Sequence, residues 1–581
     1  MTNEIVGIDL GTTNSEIAIY RGGRPEILAD EQGRKLLPSV VGVTEAGDLL
    51  VGEDARNQLL LYPERTVRSI KRKMGQLGTV RMAGVEYTPQ EISAIILRRL
   101  KETAERRLGQ PVCKAVITVP AYFSDAQRQA TREAGEIAGL EVARIINEPT
   151  AGALVYEAGQ HEGKRILVYD LGGGTFDVSV VRIEQGVVEV ISSHGNNQLG
   201  GDDFDQEIVN HILEHLKIRQ GVNVSDLPRA MARILRTAED AKKLLSDHPY
   251  ARIEEEYLTE LEGKPVHLSL ELTRDDYEQM ITPFVEETLE AIHIALKGAD
   301  MTASEVEEVL LVGGATRTPL IRRRLHEVFG RAPRGEVDAD LSVALGAAIE
   351  GAAMTGTEVS AVLVDVTPYT FGTGALGELN GELYPYTYVP IIAANTPIPV
   401  RKSEVFYTVM NNQSAVDVHI YQGEDPDALR NIELGDFRVE GLSKASAGNP
   451  VVLDLSLDRD GILHVAAREK STGLERRITI EKAVPRYGAT ELEEARERIS
   501  SLFGQSTVSV NGDDEDAGSD DGPITALLEQ ANARLGSASE EDRNDLVDLI
   551  QALNDAQTSG ETADLERARA RLEDLLFYLD A

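Results

Sequence analysis

From residue 5 to about residue 356 the chain alternates short β-branched runs with long segments whose apolar positions recur every three or four residues. The runs Ile5 to Leu10, Val112 to Val119, Ile166 to Tyr169 and Val309 to Val312 read as strands, and the segments between them as covering helices, an α/β pattern. Helix starts are marked by local chemistry. Pro120 ends one run, and Ser124-Asp125-Ala126-Gln127 reads as a capping box opening a helix through Ala138. The stretch LLVGGATRTP, Leu310 to Pro319, predicts a strand, a glycine turn and a helix with proline in its first turn. After the helix-like stretch Leu341 to Met354, the short apolar run Ala361 to Asp365 predicts a connecting strand that needs a surface to dock on.

From about 367 to 482 the period falls to two. Val416, Val418 and Ile420 alternate with Asp417, His419 and Tyr421, and Val451, Leu453, Leu455 and Leu457 alternate with Val452, Asp454, Ser456 and Asp458. Turn signals at Asn411-Asn412, Asp425-Pro426 and Asp460-Gly461 punctuate them, which predicts a β-sandwich. Thr490-Glu491-Leu492-Glu493 predicts the cap of a short helix ending near Phe503, and the acidic run Asn511 to Gly522 is too poor in apolar residues to pack. Pro523 to Leu535, Ser539 to Leu553 and Thr562 to Leu579 read as three helices, stopped by Gly536 and Gly560. The expected division is 1–356, a connector 357–366, a β-sandwich 367–482, a short lid helix 483–510, an acidic linker 511–522 and a helical bundle 523–581.

Two segments share one pattern, VGIDLGTTNSEIAI (Val6 to Ile19) and LVYDLGGGTFDVSVV (Leu167 to Val181): an Asp and a small-residue turn between β-rich runs. Glycines that allow positive φ would let the backbone N–H groups of residues 11 to 13 and 172 to 175 face an anion. Asp9 and Asp170 sit beside the turns and are candidates to hold Mg²⁺ through its waters. A lone Asp-Leu-Gly turn is more often an ordinary hairpin. Its recurrence 170 − 9 = 161 residues on, about one domain, points instead to two related lobes facing each other across a cleft.

Composition narrows the function classes. The formal charge is 59 − 97 = −38, which opposes non-specific binding to nucleic acid or anionic membrane, and residues 489 to 581 alone carry 7 basic and 23 acidic side chains. A single cysteine, Cys113, excludes an intramolecular disulfide. No basic, apolar leader or run of about 18 apolar residues occurs, so the expectation is a cytoplasmic protein with no nucleic-acid or membrane partner.

The segments DLGTTN from Asp9, INEPT from Ile146, DLGGGTFD from Asp170, GGDDFD from Gly200 and LVGGATR from Leu311 resemble, in order, the signature blocks of DnaK-type chaperones of the seventy-kilodalton heat-shock family. The short, interrupted C-terminal region looks most like the short-lid HscC branch. The resemblance implies an actin-like two-lobed ATPase, a β-sandwich peptide-binding domain and a short C-terminal helical lid and bundle, using ATP/ADP and Mg²⁺. It implies that Lys71 sits by the γ-phosphate, that Glu148 orients the attacking water, and that Thr175 and Asp170 complete the water and metal shell. Gly11, Thr12, Thr13, Gly172, Gly173, Gly174, Gly200, Gly201 and Asp202 would cradle the phosphates. Glu239, Lys242 and Ser246, three and four residues apart, match the adenosine clamp, and Gly313, Gly314, Arg317 and Asp340 its far edge.

In the sandwich, Phe371, Thr373, Leu376, Phe406, Val409, Val416, Val418 and Ile462 match positions lining or arching over a groove for an extended peptide; read bare, they are core residues. Pro120, Arg128, Arg144, Asn147, Val362, Leu363 and Asp365 match the interdomain relay, with Arg144, Asn147 and Asp365 where a J-domain cochaperone docks. Implied partners are unfolded or extended polypeptides, that cochaperone and a nucleotide exchange factor. A small-molecule kinase and an actin-like filament ATPase share the nucleotide clamp but leave residues 367 to 482 unexplained. No G-x-x-x-x-G-K-[ST] occurs, which excludes a P-loop enzyme.

Overall fold

The computed structural model describes residues 4–157, 163–261, 263–334, 340–357, 359, 362–470, 475–479, 487–505, 527–528, 530–531, 534–535, 540–559 and 562–580. Two sheets of one plan organise the first two-thirds. The first contains β1 (Ile5–Asp9), β2 (Asn14–Arg21), β3 (Arg24–Ile27), β4 (Lys114–Val119) and β5 (Glu141–Asn147) in the order β5-β4-β1-β2-β3. The second contains β6 (Lys164–Leu171), β7 (Phe176–Glu184), β8 (Val187–Asn196) and β9 (Glu308–Val312) in the order β9-β6-β7-β8. Each central strand pairs antiparallel with the next strand and parallel with a later one, placing Asp9 opposite Thr118 and Asp170 opposite Val312. The sequence repeat is therefore a repeat of architecture. Helices cover these sheets, so their central strands are near-continuous apolar runs, and Ile166 to Tyr169 are fully buried.

The helices fix how the lobes meet. After β4, Ser124 caps α1 (Asp125–Ile137) through the expected box with Gln127. Helix α2 (Glu148–Glu157) leaves the first sheet at Asn147 but packs on β6, β7 and β8, and α3 (Pro228–Asp247) lies on the second lobe. Helix α4 (Ser342–Met354) leaves the second sheet and packs on β1, β2 and β4. The exchanged helices cross at Gly346, where a Cβ would lie 1.9 Å from the Ala151 carbonyl oxygen. Only glycine permits that approach.

The connector docks as the expected strand. Strand β10 (Val362–Val366) adds parallel to β8, Val362 opposite Val187, and pairs antiparallel with β11 (Pro397–Ile398); residues 358, 360 and 361 lie outside the described residues. The following domain is a sandwich of two four-stranded antiparallel sheets, as the two-residue period predicts. Val418, Ile420, Leu453 and Leu455 fill its core.

Helix α5 (Ala489–Gln505) starts one residue before the expected cap at Thr490, because Gly488 donates its N–H to Glu491 and accepts from Leu492 N. Its apolar face, Ala495, Ile499 and Phe503, joins the core of the first lobe, and the Arg98 guanidinium lies 4.5 Å from the Phe503 ring centroid. Helix α6 (Glu540–Ser559) runs past the expected end at Leu553, and α7 (Thr562–Asp580) matches its expected span. Both share an apolar core with Leu527, Ala531 and Leu535; most of the expected helix 523–535 and the whole acidic linker 511–522 lie outside the described residues. No helix among the described residues is long and apolar enough to cross a membrane.

The crossing of α2 and α4 yields a test. Gly346→Val should destabilise the two-lobed unit by about 1–3 kcal/mol through overpacking, read as a lower urea midpoint for its unfolding. An unchanged midpoint would show that the crossing does not need glycine.

Candidate functional site

Between the lobes lies a cavity of about 650 Å³. Of the cleft residues singled out in the sequence, all but Gly174, Gly200 and Asp202 line it. Those three work behind its wall. A Cβ on Gly200 would lie 2.5 Å from the Gly173 carbonyl carbon and the Gly174 nitrogen, and Asp202 accepts from Ser69 Oγ at 2.7 Å and from Arg68 at 3.3 Å across the cleft.

The glycines of the twin turns serve a purpose other than the expected one. Gly11, Gly172, Gly173 and Gly174 all avoid positive φ. Gly173 and Gly174 are needed because the opposing hairpins almost touch, and Gly11 because its own turn closes on Asn14. A Cβ would lie 1.9 Å from Thr13 Oγ1 at Gly173 and 2.7 Å from Thr12 Cγ2 at Gly174, and 2.0 Å from Asn14 O at Gly11. The second cradle is also smaller than expected, since Gly172 N–H donates to Thr175 O at 3.1 Å inside the turn. The carbonyls of Gly172 and Gly173 accept from Gly201 N at 2.9 Å and Asp202 N at 2.7 Å, fixing the start of the next helix against the turn. Gly313 alone of these loop glycines takes positive φ, 81°.

At the floor, Lys71 is buried and ion-paired with Glu148. Burial works against the Lys71 ammonium, but Glu148, Asp9 and Asp170 around it prevail and hold its pKa above the ordinary value. Burial pushes Glu148 up to about 8 against the pull of Lys71. Burial likewise raises Asp9, Asp170 and Glu16, the last two well above the usual carboxylate range. Glu16 is a site residue that sequence reading missed. The signal was available, because the β1–β2 hairpin register sets Glu16 directly opposite Asp9.

Four acids thus share one lysine, and Asp170 Oδ2, Glu16 Oε2 and Thr12 Oγ1 are buried without hydrogen-bond partners. Buried polar groups left in that state ask for a ligand. The donor set is oxygen only, which suits a hard cation that keeps its waters, and no cluster of three metal-binding side chains occurs among the described residues.

On the second lobe, Lys242 donates to Gly201 O at 3.0 Å and Asp205 at 2.9 Å, and Ser246 lies one helical turn beyond it. Burial would raise Glu239, but Lys243 and Arg56 override it and take its pKa down to about 2. The Arg56–Glu239 contact, 3.0 Å, bridges the lobes at the cleft mouth. Arg317 pairs with Asp340 at 2.6 Å on the opposite edge.

Three of the seven expected relay residues, Arg128, Asn147 and Asp365, lie within one hydrogen-bonded chain. Asn147, next to Glu148, donates to Asp365 Oδ2 at 2.8 Å and accepts from Arg128 at 2.7 Å. Thr150 also donates to Asp365, and burial raises the Asp365 carboxyl despite these donors and Arg128. Pro120 stands between β4 and α1, and Arg144 is ion-paired with Glu350. Leu363 packs against the core beneath β8, whereas Val362 is exposed.

Sequence reading saw Asp460 only as part of a turn. Its carboxylate takes Ile145 N–H at 3.0 Å and pairs with Arg132, and its carbonyl accepts from Arg128 at 3.4 Å. Nearby, Asp125 accepts from Leu463 N at 2.8 Å, and Tyr369 packs on Tyr122 with ring centroids 4.5 Å apart. These contacts seat the sandwich on the first lobe.

The eight expected groove residues divide. Phe371 and Val418 are in the sandwich core, Phe406 and Val416 pack against it, Ile462 is buried, and Leu376 and Val409 are exposed. Thr373, polar and buried, satisfies its hydroxyl by donating to His419 O at 2.7 Å.

The Hsp70 protein family model matches residues 5–82 and 77–578 of the chain. Proteins called "Chaperone protein DnaK" from Thermotoga petrophila and Thermotoga maritima are each 47% identical to it over 486 residues, 82% of this chain and 80% of theirs. That from Thermosipho africanus is 46% identical over 485 residues, 82% of this chain and 79% of its own.

Asp460→Ala should leave Arg132 without its carboxylate and Ile145 N–H without its acceptor, and cost about 1–3 kcal/mol of domain contact, the usual penalty for stranding hydrogen-bonded partners. Increased proteolysis of the connector would report the undocking. A cleavage pattern like that of the parent would show that Asp460 does not hold the domains together.

Proposed function

Because the chain belongs to the Hsp70 family, and is accordingly an ATPase and an ATP-dependent molecular chaperone, we propose that the interlobe cleft is its ATP site and that Lys71 and Glu148 carry out the hydrolysis. The supporting observation is the floor of the cleft, where four acids, three of them buried, share one lysine and three polar atoms lack partners. Mg²⁺ held through water by Asp9 and Asp170 would supply positive charge to the phosphates. Glu148 accepts the proton of the attacking water, which the Thr175 hydroxyl helps to orient. Lys71 offsets the charge that develops on the transferred group.

The phosphates lie between residues 11–13 and 172–174 as well as 200–202. Glu239, Lys242 and Ser246 take the adenosine, and Arg317 stacks on the base beside Gly313, Gly314 and Asp340. The kinase and filament alternatives are not favoured, since neither accounts for the sandwich seated on the first lobe.

Clients are unfolded polypeptides. An extended segment would bind the sandwich by backbone hydrogen bonds and an apolar pocket, using Phe371, Thr373, Leu376, Phe406, Val409, Val416, Val418 and Ile462. Docking of β10 belongs to the ATP state; hydrolysis at Glu148 shifts Asn147 and releases Asp365, coupling the nucleotide and peptide affinities reciprocally. A J-domain cochaperone would act where Arg144, Asn147 and Asp365 converge, through a connector whose docking it senses, and an exchange factor would complete the cycle. Placement in the short-lid branch rests on the brevity of α5. That helix packs on the first lobe and not on the sandwich, which favours fast peptide dissociation.

Glu148→Gln should slow hydrolysis of bound ATP by about 10²–10⁴-fold while leaving ATP bound, as single-turnover assays would show. The working base is the carboxylate, and its folded pKa is raised, so the parental rate should climb between about pH 6 and about pH 8. A flat profile, or normal turnover by the variant, would remove Glu148 from the reaction. Independently, changing Asp365→Asn together with Val362→Asp and Leu363→Asp should abolish acceleration of hydrolysis by peptide. Retained acceleration would refute coupling through β10.

A further inference from the structure

We propose that the C-terminal helical bundle is a built-in clasp on the mouth of the nucleotide cleft, which must detach before the lobes can part and nucleotide can leave. The inference rests on the reading of the cleft as an ATP site.

Leu61, on the first lobe between Gln58 and Pro63, is only 3% exposed because it belongs to the apolar core of the bundle, with Leu546, Val547 and Ile550 of α6. Its neighbours Leu60 and Tyr62 pack against the same core. The bundle also reaches the second lobe. Arg233 on α3 is buried, pairs through two nitrogens with Glu255, and uses its remaining terminal nitrogen to reach Asp548 of α6 at 3.0 Å. One small domain therefore grips both jaws.

The position of this grip determines what it does. A small cavity of about 40 Å³ lies between the jaws, bounded by Thr12 and Thr13 of the phosphate turn, Leu60 and Arg56 of the first lobe, and Ala232 and Glu239 of α3. Leu60 thus faces the cleft on one side and the bundle on the other, and Ala232 is next in sequence to Arg233. Without the bundle, the mouth is closed by the Arg56–Glu239 pair, by Arg68 and Ser69 on Asp202, and by Tyr62 beneath the Arg229 guanidinium, 6.0 Å from the ring centroid. Partly exposed contacts of that kind hold weakly. A buried leucine and a buried arginine add a stronger tie across the same gap. Because the clasp touches neither the phosphate turns nor Lys71 and Glu148, it should govern escape of the nucleotide and leave the chemical step alone.

The test uses the full chain loaded with fluorescent ADP and chased with unlabelled ADP in a stopped-flow instrument. Asp548→Lys places like charge against Arg233, and Leu61→Glu spoils the apolar seat from the other side of the contact, so the two variants do not share a folding liability. Each should release ADP roughly ten-fold faster than the parent, the factor that 1.4 kcal/mol of lost contact represents. The double variant should be no faster than the faster single one, because both open the same clasp. Single-turnover hydrolysis should match the parent. Parental release rates in either single variant, or fully additive acceleration in the double, would overturn the clasp while leaving the ATP site intact. Failure of the parent to bind ADP at all would overturn the reading of the cleft, and the clasp with it.

Discussion

One peptide bond joins the two halves of this molecule's chemistry. Glu148 pairs with Lys71 at the floor of the cleft, and its neighbour Asn147 holds Asp365 of the connector at 2.8 Å. Neither side chain can shift far without moving the other, because both sit where β5 turns into α2 and both are buried. On the proposed reading of the cleft, this placement would convert a change of charge at a phosphate into a change of position at a strand. Arg128 widens the effect by holding Asn147 on one side and the Asp460 carbonyl of the sandwich on the other. A contiguous path of this kind is a physical candidate for coupling between the cleft and β10.

The rest of the architecture serves to bring Lys71 and its acids together. Duplicated sheets deliver Asp9 and Asp170 to the same depth from opposite walls, and the exchanged helices α2 and α4 cross so closely that each lobe leans on a helix supplied by the other. Four carboxyl groups around one ammonium, three of them buried, form an expensive arrangement, since burial favours the neutral acids. On the proposed reading, a polyanion bound with its cation would relieve that cost.

The general plan was legible because it is periodic. Runs of apolar residues marked the two covered sheets, alternation marked the sandwich, and the capping box at Ser124 and Gln127 located a helix to the residue. The repeated Asp-Leu-Gly turn placed the cleft. What escaped reading depends on contacts between distant parts of the chain. The turn glycines are there for the near collision of Gly173 with Thr13 rather than for positive φ, and no local pattern records which hairpin will face which. Asp460 reads as a turn residue because its partners Arg132 and Ile145 lie more than 300 residues away. Helix α5 shows an ordinary amphipathic face, and nothing in that face says whether it will cover a groove or, as here, the first lobe.

That placement of α5 has a mechanical corollary. The sandwich is moored at its leading end by β10 and at its trailing end by α5, with Asp460 and Tyr369 pressed against the first lobe between them. A body tied at both ends has no free pivot about which to swing by degrees. Departure of the sandwich would then resemble a latch giving way more than a door easing open, because both moorings would have to yield together.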